Sequence, residues 1–167
     1  MKALYIIRHA KSSWDDDRLS DFDRPLNERG KRDAPSMGKR LKERDVVPDM
    51  VLSSPAKRAL STAKKITNAL GFDSEKIKTD RRLYHADSEM ILLLVQEIKN
   101  KHQTALVFGH NPGLTDFANS VMTDKMFIDN IPTCGVVAFL FDVSDWKDVK
   151  RKSGKIIFFD YPKNSGD

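Results

Sequence analysis

Three apolar runs in this chain end in residues suited to one chemistry. Arg8 and His9 close the run in "LYIIRHAKSSW", Arg58 lies just past "MVLSSPAK", and His110 follows "ALVFG". If each run is a buried parallel strand, all three ends meet at one sheet edge, the carboxyl edge where open α/β sheets bind ligands. Two guanidiniums and two imidazoles would then share a cleft. Helices beginning near Pro55 and Pro112 would add backbone N–H donors and positive dipole ends. Arginine offers forked donors that match the spread of phosphate oxygens, which a lysine point charge does not. The combination suits the binding and transfer of a phosphoryl group.

Other chemistries fit less well. Paired histidines suggest a metal, but no H-E-x-x-H, C-x-x-C or similar spacing supplies further ligands, and two adjacent guanidiniums would repel a divalent cation; no metal and no cofactor are expected. There is no G-x-S-x-G elbow for serine hydrolysis, and "FGHNPG" is not a G-x-x-x-x-G-K-[ST] phosphate loop.

The elements that must position these residues are readable from pattern. The polar stretch Ser12 to Arg24 reads as a loop that leaves the first strand and covers something. A helix is predicted from Asn27 to about Arg44, with Pro35 weakening its first turns. Met50 to Ser53 reads as a short buried strand. Ser54 can cap the helix that follows, Pro55 suits its first position and Gly71 its end, and Leu60, Ala63, Ile66 and Leu70 define the face packed on the sheet. A further helix runs from about Ser88 to Lys99 with Ile91, Leu94, Val95 and Ile98 on one side. Then come the strand "TALVFG", a tight turn at Asn111 to Gly113, and another helix. Near the end, "GVVAFLFDV" and "KIIFFDY" have no long helix between them and read as a β-hairpin. The expected fold is a three-layer α/β/α sandwich with a mostly parallel central sheet and an antiparallel addition near the carboxyl terminus.

Composition sets the outer limits. With 167 residues, 40% hydrophobic and 32% charged, the chain is expected to form a single globular domain over 1–167. No apolar run approaches the roughly 20 residues of a membrane helix. The first run is cut by Arg8 after about five residues, too few for a secretory signal, so a cytoplasmic location is expected and no membrane partner. Cys134 is the lone cysteine. The net charge of +5 comes with acidic residues interleaved throughout, which points away from nucleic acid and toward a small anionic group. A monomer is expected.

The motifs "RHAKSSW", "DFDRPLNERG", "VLSSPAKRALSTA" and "VFGHNPGL", in this order, resemble the histidine phosphatase superfamily, the relatives of phosphoglycerate mutase, and in particular its SixA-type phosphohistidine phosphatases. The resemblance runs from the start of the chain to about Pro132 and Thr133, and it implies a phosphoglycerate mutase-like fold. It further implies that His9 is the nucleophile, that Arg8 and Arg58 bind phosphoryl oxygens, and that His110 is the second histidine of the pocket. Lys11, Ser12 and Arg24 would line the entrance, with Asn111 also counted as substrate-binding.

One position departs from the pattern. Where this branch often carries Glu after an "LY" pair, "RRLYHADSE" places His85. Without a carboxylic acid, esters lose a proton donor for their leaving oxygen, whereas the basic bridging nitrogen of a phosphoramidate can leave already protonated. His85 itself, Asp87 or Glu89 could donate instead. The expected activity is therefore a phosphatase working through a phosphohistidine intermediate on a phosphohistidine-bearing protein. The alternatives are a small-molecule phosphomonoesterase of the same superfamily and a non-catalytic phospho-ligand binding module.

Overall fold

In a computed structural model, which describes residues 1–164, six strands form one sheet flanked by four helices. The elements are β1 (Lys2–Arg8), α1 (Glu28–Glu43), β2 (Met50–Ser53), α2 (Lys57–Ala69), β3 (Lys78–Thr79), α3 (Ser88–Gln96), β4 (Thr104–Gly109), α4 (Gly113–Val121), β5 (Val136–Phe141) and β6 (Gly154–Asp160). The strand order is β3-β2-β4-β1-β5-β6. The first four strands are mutually parallel, β5 runs antiparallel to β1, and β6 antiparallel to β5. This is the expected mostly parallel α/β sandwich with an antiparallel addition.

Strand alternation builds two cores, one on each face. On β1, Leu4 and Ile6 join Leu94, Val95 and Phe117 from α3 and α4, while Tyr5 and Ile7 join Met37, Leu41, Ala63 and Ile66 from α1 and α2. Strand β4 divides in the same way, Ala105 and Val107 to one face and Leu106 and Phe108 to the other. Strands covered on both faces need apolar side chains at successive positions, which is why these runs read as unbroken.

Helix α1 lies where its pattern placed it. Asn27 caps it by accepting from the Gly30 amide at 2.9 Å, and it continues through Pro35. The start of α2 differs from expectation. Its first residue is Lys57 and its N-cap is Ala56, so Pro55 stands outside the helix and Ser54 is not the cap. The Ser54 hydroxyl instead accepts from the Ala56 amide at 3.2 Å, a local turn that mimics a cap two residues early. The buried stripe is also rotated from the expected one. Ala59, Thr62, Ala63, Ile66 and Thr67 are buried, while Leu60 and Leu70 are only half-buried. Gly71 follows the helix at φ +75°, the left-handed conformation expected of it. Strand β3 was not foreseen: its two residues, Lys78 and Thr79, are exposed and carry no apolar signal. Among the described residues no helix is long and apolar enough to cross a membrane.

Candidate active site

Register, not chance, brings the strand ends together. Arg8 of β1 pairs with Gly109 of β4, and Ser53 of β2 pairs with Phe108 of β4. The next residues, His9, His110 and Ser54, therefore emerge side by side at the carboxyl edge. The His9 amide still donates to the Gly109 carbonyl at 3.1 Å and the Ser54 amide to the Phe108 carbonyl at 3.0 Å. The two imidazoles lie 5.3 Å apart, centroid to centroid.

Above them opens a cleft of about 220 Å³ lined by Arg8, His9, Lys11, Ser12, Trp14, Arg24, Arg58 and Thr133. His9 donates from Nδ1 to the Ala10 carbonyl at 2.8 Å, since a carbonyl can only accept. Its proton is thereby placed on Nδ1, and Nε2, with no hydrogen bond among the described residues, keeps its lone pair. Burial lowers the His9 pKa to about 4; the bond to Ala10 opposes this, and the guanidiniums of Arg58, Arg8 and Arg24 add to it. Burial is the larger cause, ahead of the cations. His110 is lowered to about 3, again by burial first, then by His9, Arg58 and His85, with Asp21 opposing. The His110 Nε2 is hydrogen-bonded to the Ser54 hydroxyl across 2.8 Å. The two buried side-chain polar atoms without a partner among the described residues, Arg8 Nε and His110 Nδ1, both belong to this site.

The cations are held from several directions. Arg8 donates from Nη1 to the Ile131 carbonyl at 2.9 Å. Arg58 donates from Nη1 to the Asp21 carbonyl at 2.6 Å and from Nη2 to the Asp21 carboxylate at 2.9 Å. Arg24 donates to the Ser13 carbonyl at 3.1 Å, to the Asp21 carboxylate at 2.9 Å and to the Ser12 hydroxyl, and its guanidinium lies 3.3 Å from the centroid of the Trp14 ring. That ring is 74% exposed. The loop from Ser12 to Arg24 thus forms one wall of the cleft.

The remaining expected residues fall elsewhere. Asn111 does not line the cleft. Its amide donates to Asn130 and to the Ile131 carbonyl, and its oxygen accepts from the Thr115 amide and hydroxyl, which fills its four hydrogen-bonding positions. It therefore fixes the same carbonyl that holds Arg8. His85 is exposed at the rim with φ +64°, its ring 3.9 Å from that of Tyr84, which in turn meets His110 edge-on at 5.5 Å. Asp87 caps α3 by accepting from the Met90 amide, and Glu89 pairs with Arg151 at 3.3 Å.

Three participants were missed from the sequence: Asp21, Tyr84 and the Ser54–His110 bond. The Tyr84 hydroxyl donates to the Asp21 carboxylate at 2.6 Å. An Asp three residues before Arg24 in "SDFDRPL" was the available signal for the first of these. Among the described residues no cluster of three His, Cys, Asp or Glu could hold a metal ion.

Known proteins share this chain's sequence pattern and fold. The family model for the histidine phosphatase superfamily (branch 1) matches residues 4–106. An uncharacterized protein of Mycobacterium tuberculosis is 31% identical over 165 residues, covering 94% of this chain and all of that one. A crystal structure from Agrobacterium tumefaciens, provisionally named phosphohistidine phosphatase SixA, superposes with a TM-score of 0.76 at 27% identity, covering 96% of this chain and 98% of that chain. A protein histidine phosphatase SixA solved with tungstate superposes with a TM-score of 0.81 at 22% identity, covering 97% and 98%.

Proposed function

The chain belongs to the histidine phosphatase superfamily, and from this we propose that it is a phosphatase that removes the phosphoryl group of protein phosphohistidine through a covalent intermediate on His9. The observation that carries the reading is the His9 tautomer. With Nδ1–H tied to the Ala10 carbonyl, the unprotonated Nε2 is left for a cleft whose walls include Arg8, Arg24 and Arg58.

In the first step the Nε2 lone pair attacks phosphorus, an Nε2–P bond forms and the substrate's P–N bond breaks. The departing ring nitrogen takes the P–N electron pair, and because the ring's other nitrogen already carries a proton the substrate imidazole leaves neutral without a donor from the protein. In the second step water attacks the phosphoryl-His9, the Nε2–P bond breaks, and inorganic phosphate is released with His9 neutral again. The transition state carries charge on the equatorial oxygens, so fixed cations supply much of the stabilisation. Arg58 has five N–H donors, of which two are engaged by Asp21, so three remain for those oxygens.

Cleft size supports a protein substrate over a small ester. A cleft of about 220 Å³ lies below the roughly 300–1,000 Å³ typical of sites that enclose a whole small molecule. It takes a phosphoryl group and the tip of a side chain while the rest of the substrate stays outside. The test is incubation with a radiolabelled phosphohistidine peptide followed by an alkaline quench, which preserves phosphoramidates. Label should map to His9 and be lost in His9→Ala, with the wild-type rate unaffected by a chelator. Label on another residue, or none with full turnover, would remove the covalent mechanism.

A further inference from the structure

Asp21 ties together groups from three separate segments. Its carboxylate accepts from Arg24 at 2.9 Å on one oxygen, and from Arg58 at 2.9 Å and Tyr84 at 2.6 Å on the other; its backbone carbonyl accepts a second bond from Arg58 at 2.6 Å. Both arginine side chains are buried, at 9% and 7% exposure. Burial alone would raise the Asp21 carboxyl, but the bonds from Tyr84, Arg58 and Arg24 outweigh it and hold it well below the usual carboxylate range. Around it, Phe22 packs edge-on against Tyr84 at 5.1 Å and the Arg81 guanidinium lies 5.0 Å from the Phe22 ring, so the loop bearing Asp21 is fastened to the segment that bears His85.

We infer that Asp21 is a positioning residue for the phosphoryl-transfer reaction, its carboxylate and carbonyl fixing the Arg58 and Arg24 guanidiniums at the cleft and coupling them through Tyr84 to the rim at position 85. The inference rests on the phosphatase reading above. Its physical basis is that a guanidinium on a flexible stem stabilises a transition state only if it is already in place when charge develops there. Arg58 is held by two bonds to one residue, so it cannot turn about either without breaking the other. The negative charge has a second effect, since it offsets part of the positive field that would otherwise hold the phosphate product. Asp21 thus trades anion affinity for geometry.

That trade gives a signature that general destabilisation cannot produce. Asp21→Asn keeps the side chain's shape but removes its charge and turns one acceptor into a donor facing an arginine or the tyrosine. We expect kcat for a phosphohistidine peptide to fall tenfold or more, while inorganic phosphate binds as tightly as to wild type or more tightly. In NMR spectra of arginine Nε–H groups, the Arg58 and Arg24 signals should show restricted side-chain motion in wild type and lose it in the variant. Tyr84→Phe, which removes one of the four bonds, should give a smaller effect in the same direction. An unchanged kcat in Asp21→Asn overturns the inference, as does a parallel loss of kcat, phosphate affinity and thermal stability. If the wild-type protein turns over no phosphohistidine, the phosphatase reading fails by itself; restricted arginines released by Asp21→Asn then still support the positioning role, and unaltered arginine signals overturn it.

Discussion

The imidazoles of His9 and His110 face each other at 5.3 Å, tilted by 52°, each anchored by a hydrogen bond to a different neighbour, His9 to the Ala10 carbonyl and His110 to the Ser54 hydroxyl. Two histidines this close, both buried and near guanidiniums, cannot both be charged at neutral pH without a large electrostatic cost. Neutrality is what the proposed attack by His9 requires.

The ring nitrogens of His9 should therefore report a single tautomer, Nδ1 protonated and Nε2 bare, across the neutral range. Because its pKa is lowered to about 4, protonation of Nε2 should set in only as pH falls toward that value, well below the ordinary histidine value of about 6.5. Nitrogen-15 NMR of the imidazoles would measure this. Titration of His9 near 6.5 would contradict the burial argument.

Stability should carry the same signature. In the unfolded chain both imidazoles take up protons at about 6.5, whereas in the folded chain His9 does so near 4 and His110 near 3. Between these limits the unfolded state binds more protons, so stability is fully present above about 6.5 and is lost as pH falls toward the folded values. The slope is at most about 1.4 kcal/mol per pH unit for each group. His9→Ala removes one group, so its stability should fall less steeply between pH 7 and pH 5 in urea unfolding. Equal slopes would mean that His9 is not held neutral by the fold.

The Ser54–His110 bond makes a separate prediction. Ser54 is fully buried, and Ser54→Ala leaves His110 Nε2 and the Ala56 amide without their partner. A buried polar group stripped of its bond costs about 1–3 kcal/mol, which a urea midpoint resolves. Turnover should fall as well, because the His110 ring loses its anchor beside His9. A variant of native stability and rate would show that the bond holds nothing in place.

What could be read from sequence follows from where each signal lies. His9 and His110 stood out because each ends an unbroken apolar run, and the Arg8–Gly109 register then placed them side by side. The bounds of α1 were legible because Asn27 caps it through a local bond to Gly30. The partnership of Asp21 was not legible, because its bonds reach across 37 residues to Arg58 and 63 to Tyr84, and no periodicity encodes such a contact. Ser54 misled for a different reason. A serine before Pro55 has the same local signature whether it caps a helix or forms a turn that leaves its hydroxyl facing His110, and only the position of β4 decides between them.

Ester turnover is the test of the role proposed for position 85. Asp87 caps α3 and Glu89 pairs with Arg151, so both alternative donors are engaged elsewhere, while His85 lies against Tyr84, whose ring in turn meets that of His110. If the absence of a carboxylic acid here sets substrate choice, His85→Glu should raise turnover of alkyl or aryl phosphates by about tenfold or more relative to phosphohistidine, since proton donation to an oxygen leaving group is worth 10²–10⁴ in rate when well placed. If His85 is itself the donor, His85→Ala should slow esters preferentially. Both variants place a side chain at φ +64°, where non-glycine residues are strained, so their thermal midpoints should match each other and the comparison of rates remains fair. The measurement is the ratio of ester to phosphohistidine turnover for the three proteins. A ratio that stays constant would make position 85 part of the rim only, and the proton for esters would then come from solvent.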